Sequence, residues 1–211
     1  MRFLAFEGLD GSGKSTLIER LSAELSALGE RSLVTHEPGG TPLAEEIRSL
    51  LLRVGSDPPS SRGELLLYEA SRAQHVDRVI RPALERGEWV ICDRFVASTV
   101  AFQCWGRGLD RATVDWLNDF AMGGCRPALT VLLDLPVTEA ASRQKRRASE
   151  SGRGADRMEL EDRPFHESVR AGYLAQASEA PDEWLVLDAR AASDVLYAQL
   201  RAHLKELEWL P

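Results

Sequence analysis

The sequence predicts an α/β protein, a three-layer sandwich in which a five-stranded parallel sheet is flanked by helices on both faces. Three observations carry this. Five short apolar runs, Phe3–Glu7, Ser32–Thr35, Trp89–Asp93, Leu129–Leu135 and Trp184–Asp188, have the length of strands. Between them lie longer stretches with apolar residues at helical spacing. Leu129–Leu135 is apolar at nearly every position, as a parallel strand covered on both faces must be.

The 211 residues bound the answer to one substantial domain, 1–211, able to bury a core without disulfide or metal. Hydrophobic residues make up 44% and charged residues 28%, ordinary globular composition that excludes a disordered chain. The net charge of −7 argues against a protein whose main work is binding nucleic acid or an anionic membrane. No run reaches the ~18 apolar residues of a membrane helix, and Glu7 interrupts the first apolar run before it resembles a signal sequence. Cys92, Cys104 and Cys125 have no CxxC spacing and are odd in number, so reduced thiols and a cytoplasmic location are expected. The basic residues are 23 arginines and only three lysines, Lys14, Lys145 and Lys205.

Taken in order, the first strand runs into Gly8-Leu9-Asp10-Gly11-Ser12-Gly13-Lys14-Ser15-Thr16. This matches G-x-x-x-x-G-K-[ST] and opens a helix with Leu17, Ile18, Leu21, Leu25 and Leu28, closed by Gly29. Glycines let successive N–H groups curl around phosphate oxygens, and the helix N-terminus adds partial positive charge. Lys14 would reach the β- and γ-phosphates of a nucleoside triphosphate, and Ser15 would ligate Mg²⁺. The fold class is therefore that of the P-loop NTPases. The second strand leads into His36-Glu37-Pro38-Gly39-Gly40-Thr41-Pro42, a tight loop followed by a capped helix start with proline. The third strand ends in Asp93-Arg94-Phe95, a carboxylate able to hold Mg²⁺ beside an arginine able to clamp phosphate. Gly55–Ser61 is too short to separate domains, and Ala148–Ala155 reads as an irregular stretch between two helices. His75, His166 and His203 read as structural or surface residues, and Tyr173, Leu174, Leu196 and Leu200 as core.

FEGLDGSGKST, HEPGGT, LLLYEASRAQH, DRFVAST, FQCWGRGL, RPALTVLLDL, DRMELED and FHESVRAGYL follow one another from Phe6 to Leu174. Taken together, these segments closely resemble the thymidylate kinase family. The resemblance implies transfer of the ATP γ-phosphoryl group to dTMP, giving dTDP on the route to dTTP, with Mg²⁺ as cofactor and a homodimeric assembly. It implies that Gly8 to Thr16 and Arg143 bind ATP, with Arg143 along the adenine. It implies that Arg72 and Arg94 grip the dTMP phosphate and that Tyr68 stacks on the base. Asp10 would meet the sugar 3′-hydroxyl, Pro38 would border the acceptor pocket, and Ser98, Thr99 and Gln103 would read the base and line the sugar pocket. Phe102 stands where the family usually has tyrosine beside the 2′ position. Further departures are His36 for the usual arginine, Cys104-Trp105 for a glycine pair, and a lid a few residues longer than common.

Residues 143–157 hold Arg143, Lys145, Arg146, Arg147, Arg153 and Arg157 against Glu150 and Asp156, a charge of +4 that leaves −11 on the rest. Gly152 and Gly154 permit backbone change, so a mobile lid closing over ATP is expected. In the family the arginine that stabilises the transferring group lies in the P-loop or in the lid. Gly11 occupies the P-loop slot here, so the resemblance implies the bacterial type, with Arg147 or Arg153 catalytic. A deoxynucleoside kinase remains the alternative, with Glu37 as the base that a hydroxyl acceptor requires; a P-loop switch or motor is a third reading.

Overall fold

A computed structural model describes residues 2–151 and 154–211 of the chain. Five parallel strands, β1 (Phe3–Glu7), β2 (Ser32–His36), β3 (Trp89–Asp93), β4 (Leu129–Asp134) and β5 (Trp184–Asp188), form one sheet in the order β2-β3-β1-β4-β5. The α-helices are α1 (Lys14–Ala27), α2 (Pro42–Leu52), α3 (Ser61–His75), α4 (Arg81–Glu85), α5 (Val96–Thr99), α6 (Arg111–Met122), α7 (Val137–Ser151), α8 (Arg163–Glu179) and α9 (Ser193–Glu206).

Alternation along β1 builds the layers. Leu4 and Phe6 enter a core with Leu17, Leu21, Val169 and Leu200, whereas Phe3 and Ala5 enter the opposite core with Val76, Ile80 and Ala83. Helix starts carry their own signals: Thr41 accepts from the Ala44 N–H, Ser60 from Gly63, Asp110 from Thr113 and Asp162 from Phe165. Each such cap contributes about 1 kcal/mol. Because all strands are parallel, β1, β3 and β2 deliver their C-terminal ends to one rim, and beside the central β1 the order of connection reverses and a ligand crevice opens.

Two features depart from the sequence reading. Val76–Ile80 and Val100–Gly106 form π-helical turns that continue α3 and α5; such turns recur at functional sites. The expected irregular stretch at Ala148–Ala155 is helical as far as Ser151, because α7 meets no glycine or proline before that point. Most of the basic segment thus rides on a helix. Cys104-Trp105 is accommodated from across the interface: a Cβ at Gly172 of α8 would lie 2.6 Å from the Trp105 ring, so the bulky indole faces a residue without a side chain.

Candidate active site

The C-terminal rim encloses a cleft of about 1010 Å³, at or beyond the upper end of the ~300–1,000 Å³ of a single small-molecule pocket. One side is the P-loop. Gly8 has φ +129° and a Cβ there would lie 2.5 Å from the Leu133 carbonyl oxygen, so only glycine permits the turn into α1. Lys14 Nζ donates to the Gly8 carbonyl (3.1 Å) and lies 3.8 Å from Asp10 and 3.9 Å from Asp93. Burial and the neighbouring Arg94 push its ammonium below the ordinary value, with Asp93, Asp10 and Glu7 opposing. Asp10, Gly11, Gly13, Ser15 and Thr16 line the cleft, whereas Leu9 is buried in the core.

Asp93 Oδ1 is buried and has no hydrogen-bond partner among the described residues, with Lys14 3.9 Å away. An orphaned carboxylate oxygen at the end of β3, with the Ser15 hydroxyl on the same cleft, fits a hard divalent cation that keeps most of its other positions for water and phosphate.

On the other side stands Arg94, one of two non-glycine residues with positive φ (+70°) among the described residues. Such a backbone costs about 1–3 kcal/mol and persists where its surroundings fix it. The fixing groups are identifiable. Nη2 donates to Asp10 (2.8 Å), Nη1 donates to Tyr173 Oη (2.9 Å) and Ser98 Oγ (3.2 Å), and the guanidinium lies 5.3 Å from the Phe102 ring centre. Behind them Glu7, fully buried, accepts from the Phe95 N–H (2.8 Å), Ser98 Oγ (2.6 Å) and Tyr173 Oη (3.0 Å). Burial raises the Glu7 carboxyl above its ordinary value, with Arg94 and these hydrogen bonds opposing. Although burial favours its neutral form, Arg94 and Lys14 hold the Asp10 carboxyl well below the usual carboxylate range.

Arg72 is arranged differently from the sequence reading. It is 2% exposed, and Nε donates to Glu37 (2.8 Å), Nη1 to Glu69 (2.9 Å) and Asn118 (2.8 Å), and Nη2 to Thr99 (2.9 Å). Two buried carboxylates already neutralise it, so a dianionic phosphate there would face Glu37 and Glu69. The phosphate-gripping role implied for Arg72 is thus opposed by its surroundings. Its remaining N–H suits a neutral carbonyl acceptor. Arg48, which no motif marks, lines the cleft instead; its Nη1 donates to the Pro38 carbonyl (2.8 Å), and it makes no ion pair among the described residues. Ser98, expected in the base pocket, lines the cleft and also ties Glu7 to Arg94. Pro38, Tyr68, Arg72, Thr99, Phe102 and Gln103 line the cleft as well. Tyr173 is core, as expected, yet its hydroxyl belongs to the site.

The lid residues divide. Arg143 donates to the Ala189 carbonyl beyond β5 (3.0 Å) and, at 3.4 Å, to Gly11, spanning the side of the P-loop away from Arg94. Arg143 also lines the cleft, together with Arg146, Arg147, Glu150 and Asp156. Arg153 lies outside the described residues. Arg157 turns away, donating from Nε to the Leu51 carbonyl (2.9 Å) and placing Nη2 2.6 Å from Glu64.

A P-loop on one wall and an arginine-rich pocket facing it on the other define a P-loop protein that brings two phosphorylated ligands together. Comparison narrows this. The thymidylate kinase family model matches residues 6–199. A thymidylate kinase of Bdellovibrio bacteriovorus is 53% identical over 206 residues, covering 98% of this chain and 96% of that protein. A thymidylate kinase of Geobacter sp. strain M21 is 49% identical over 187 residues, covering 88% and 83%. The crystal structure of thymidylate kinase from Ehrlichia chaffeensis superposes with a TM-score of 0.77 at 30% identity, covering 96% and 97% of the two chains. The chain belongs to the thymidylate kinase family.

Proposed function

We propose that the protein transfers the γ-phosphoryl group of ATP to dTMP, yielding ADP and dTDP, with residues 1–211 forming one kinase domain whose lid spans about 143–157. One observation supports the assignment of roles: Lys14 and Arg94 flank the same Asp10 oxygen in a single cleft. The attacking atom is a phosphate oxygen already largely ionised at pH 7, since a monoester's second pKa is about 6. No base is needed, and catalysis reduces to alignment and charge neutralisation. Lys14 and the P-loop N–H groups hold the ATP phosphates, while Arg94 and Arg48 hold the dTMP phosphate. When Arg94 turns to that phosphate, Asp10 is released toward the sugar 3′-hydroxyl. Tyr68 supports the base, Arg72 with Thr99 and Gln103 presents polar groups to its edge, and Phe102 fills the space a 2′-hydroxyl would need. Ser15 and Asp93 would hold Mg²⁺, which when bound neutralises β- and γ-phosphate charge. Of the two lid arginines implied by the resemblance, Arg147 lines the cleft beside Arg143 and Arg146, which supports assigning it to the transferring group.

The nucleoside-kinase alternative is disfavoured because its candidate base is spent: Glu37 is buried and accepts from Arg72 and His75. Glu37→Gln separates the two. At saturating acceptor, dTMP turnover is expected to fall less than about ten-fold, whereas loss of a general base costs roughly 10²–10⁴-fold; a loss of that size with dTMP would overturn this reading.

The assembly is proposed to be a homodimer. Leu66 on α3 and Trp116 and Phe120 on α6 are exposed, the latter two stacked 6.0 Å apart, an apolar surface of the kind that self-association covers. Light scattering on purified protein checks it. Three free thiols fit a cytoplasmic location.

A further inference from the structure

Glu64 is a fully buried carboxylate that no motif singled out and the mechanism above does not use. It lies one helical turn before Tyr68 and two before Arg72, on the face of α3 that meets the cleft. Its Oε1 accepts from Gln103 Nε2 (2.9 Å) and Arg107 Nε (3.1 Å), and its Oε2 accepts from Arg107 Nη2 (3.1 Å) and lies 2.6 Å from Arg157 Nη2. Gln103 lines the cleft on the Tyr68 and Arg72 side. Arg157 does not line the cleft; it belongs to the far end of the lid, where its backbone N–H also donates to Leu52 (3.2 Å). Arg107 extends the same anchorage, donating to Glu161 (2.6 Å) just beyond the lid and lying 4.6 Å from the Phe165 ring centre.

Two consequences follow from this one carboxylate. An ionised carboxylate only accepts, so Gln103 must present its NH₂ to Glu64, which fixes the amide orientation and turns its carbonyl oxygen and second N–H elsewhere. The same two oxygens hold the two arginines that fasten the lid's C-terminal foot. Burial favours the neutral acid, but hydrogen bonds from Arg107 and Gln103 and the charges of Arg107 and Arg157 prevail and lower its pKa, so Glu64 is ionised at neutral pH.

We infer that Glu64 is a positioning residue that couples the acceptor pocket to the lid, one carboxylate setting the Gln103 amide toward the acceptor base and anchoring the lid through Arg157 and Arg107. This rests on the reading of the cleft as a dTMP site. A base that engages Gln103 pulls on the carboxylate that fastens the lid, so acceptor occupancy and lid position report to each other.

The test uses Arg157→Gln and Glu64→Gln in the full-length protein, with Gln103→Ala alone and in combination. The Arg157 side chain meets Leu51 and Glu64, neither of which lines the cleft, yet Arg157→Gln is expected to raise the KM for dTMP about five-fold or more, the usual floor of an allosteric coupling. The KM for ATP should stay within about two-fold. Combined with Gln103→Ala, Arg157→Gln should add little further to the dTMP KM, because both act through Glu64. Hydrogen exchange over 156–162 should slow on adding dTMP to the parent and not to Glu64→Gln. If Arg157→Gln folds, melts within a few degrees of the parent and leaves the dTMP KM unchanged, the coupling is refuted. Additive effects of Arg157→Gln and Gln103→Ala refute it equally, and both results hold whether or not Glu64→Gln folds. Failure of the parent to phosphorylate dTMP would instead overturn the dTMP reading itself.

Discussion

Replacing Arg72 by methionine tests whether this arginine is a buried keystone or a phosphate clamp. The substitution keeps length and apolar stem but removes the charge shared by Glu37 and Glu69, which are 5% exposed each. Glu37 keeps His75 at 3.1 Å, while Glu69 loses its only side-chain partner among the described residues. Breaking a buried ion pair from one side costs about 3–5 kcal/mol, and at roughly 2–4 °C per kcal/mol for a chain this size Tm should fall by about 6–20 °C. The loss should depend on pH with a definite sign. Burial already raises the Glu69 carboxyl above 4.5 against the pull of Arg72, and removing Arg72 raises it further. Below 4.5 the carboxyl is neutral folded and unfolded, so it carries no penalty; as pH rises through the folded value the penalty grows to its full size. Scanning calorimetry at pH 5 and pH 8 should therefore show the larger deficit at pH 8. A variant that melts within about 3 °C of the parent at both pH values, and loses only dTMP affinity, would refute this reasoning and restore Arg72 as a phosphate ligand.

Two further outcomes concern the cleft walls. Arg94→Ala removes the charged donor that faces Asp10 across the acceptor side, and with charge-assisted hydrogen bonds worth about 1.5–3 kcal/mol each, kcat/KM for dTMP should drop roughly 10²-fold or more; steady-state kinetics with dTMP varied would show it. Arg147→Ala should lower kcat roughly 10³-fold with little change in ATP affinity, whereas Arg143→Ala, which removes contacts to Gly11 and Ala189, should raise the ATP KM and largely spare kcat. Equal effects of the two lid substitutions on both parameters would contradict the division of labour.

Much of this was legible in the sequence because it is local. Strand runs, caps, the Gly8–Ser15 loop and the Asp93-Arg94 pair depend on neighbours within a few residues, and the five strands fall where the apolar runs put them, within one residue at each end. What escaped depends on partners far along the chain. The neutralisation of Arg72 by Glu37 spans 35 residues, and the tie from Glu7 to Ser98 spans 91. Glu7 sits in a strand and reads as an interruption; only the fold shows that it faces the loop carrying Arg94. Arg48 is one of 23 arginines and has no motif around it. A signal did exist for Glu64, since its spacing to Tyr68 and Arg72 places all three on one helical stripe. The π-helical turns, five and seven residues long, are too short to establish a period of their own beside the α-helices they continue.

The central claim is that one cleft joins ATP to a nucleotide whose own phosphate is the nucleophile. The most direct measurement incubates the purified protein with ATP and Mg²⁺ plus dTMP, thymidine or no acceptor, and quantifies ADP and the phosphorylated product by chromatography. The account predicts dTDP formed in one-to-one ratio with ADP from dTMP, and from thymidine no more ADP than without acceptor. Phosphorylation of thymidine with dTMP left untouched, or ADP released at the same rate in all three, would contradict it.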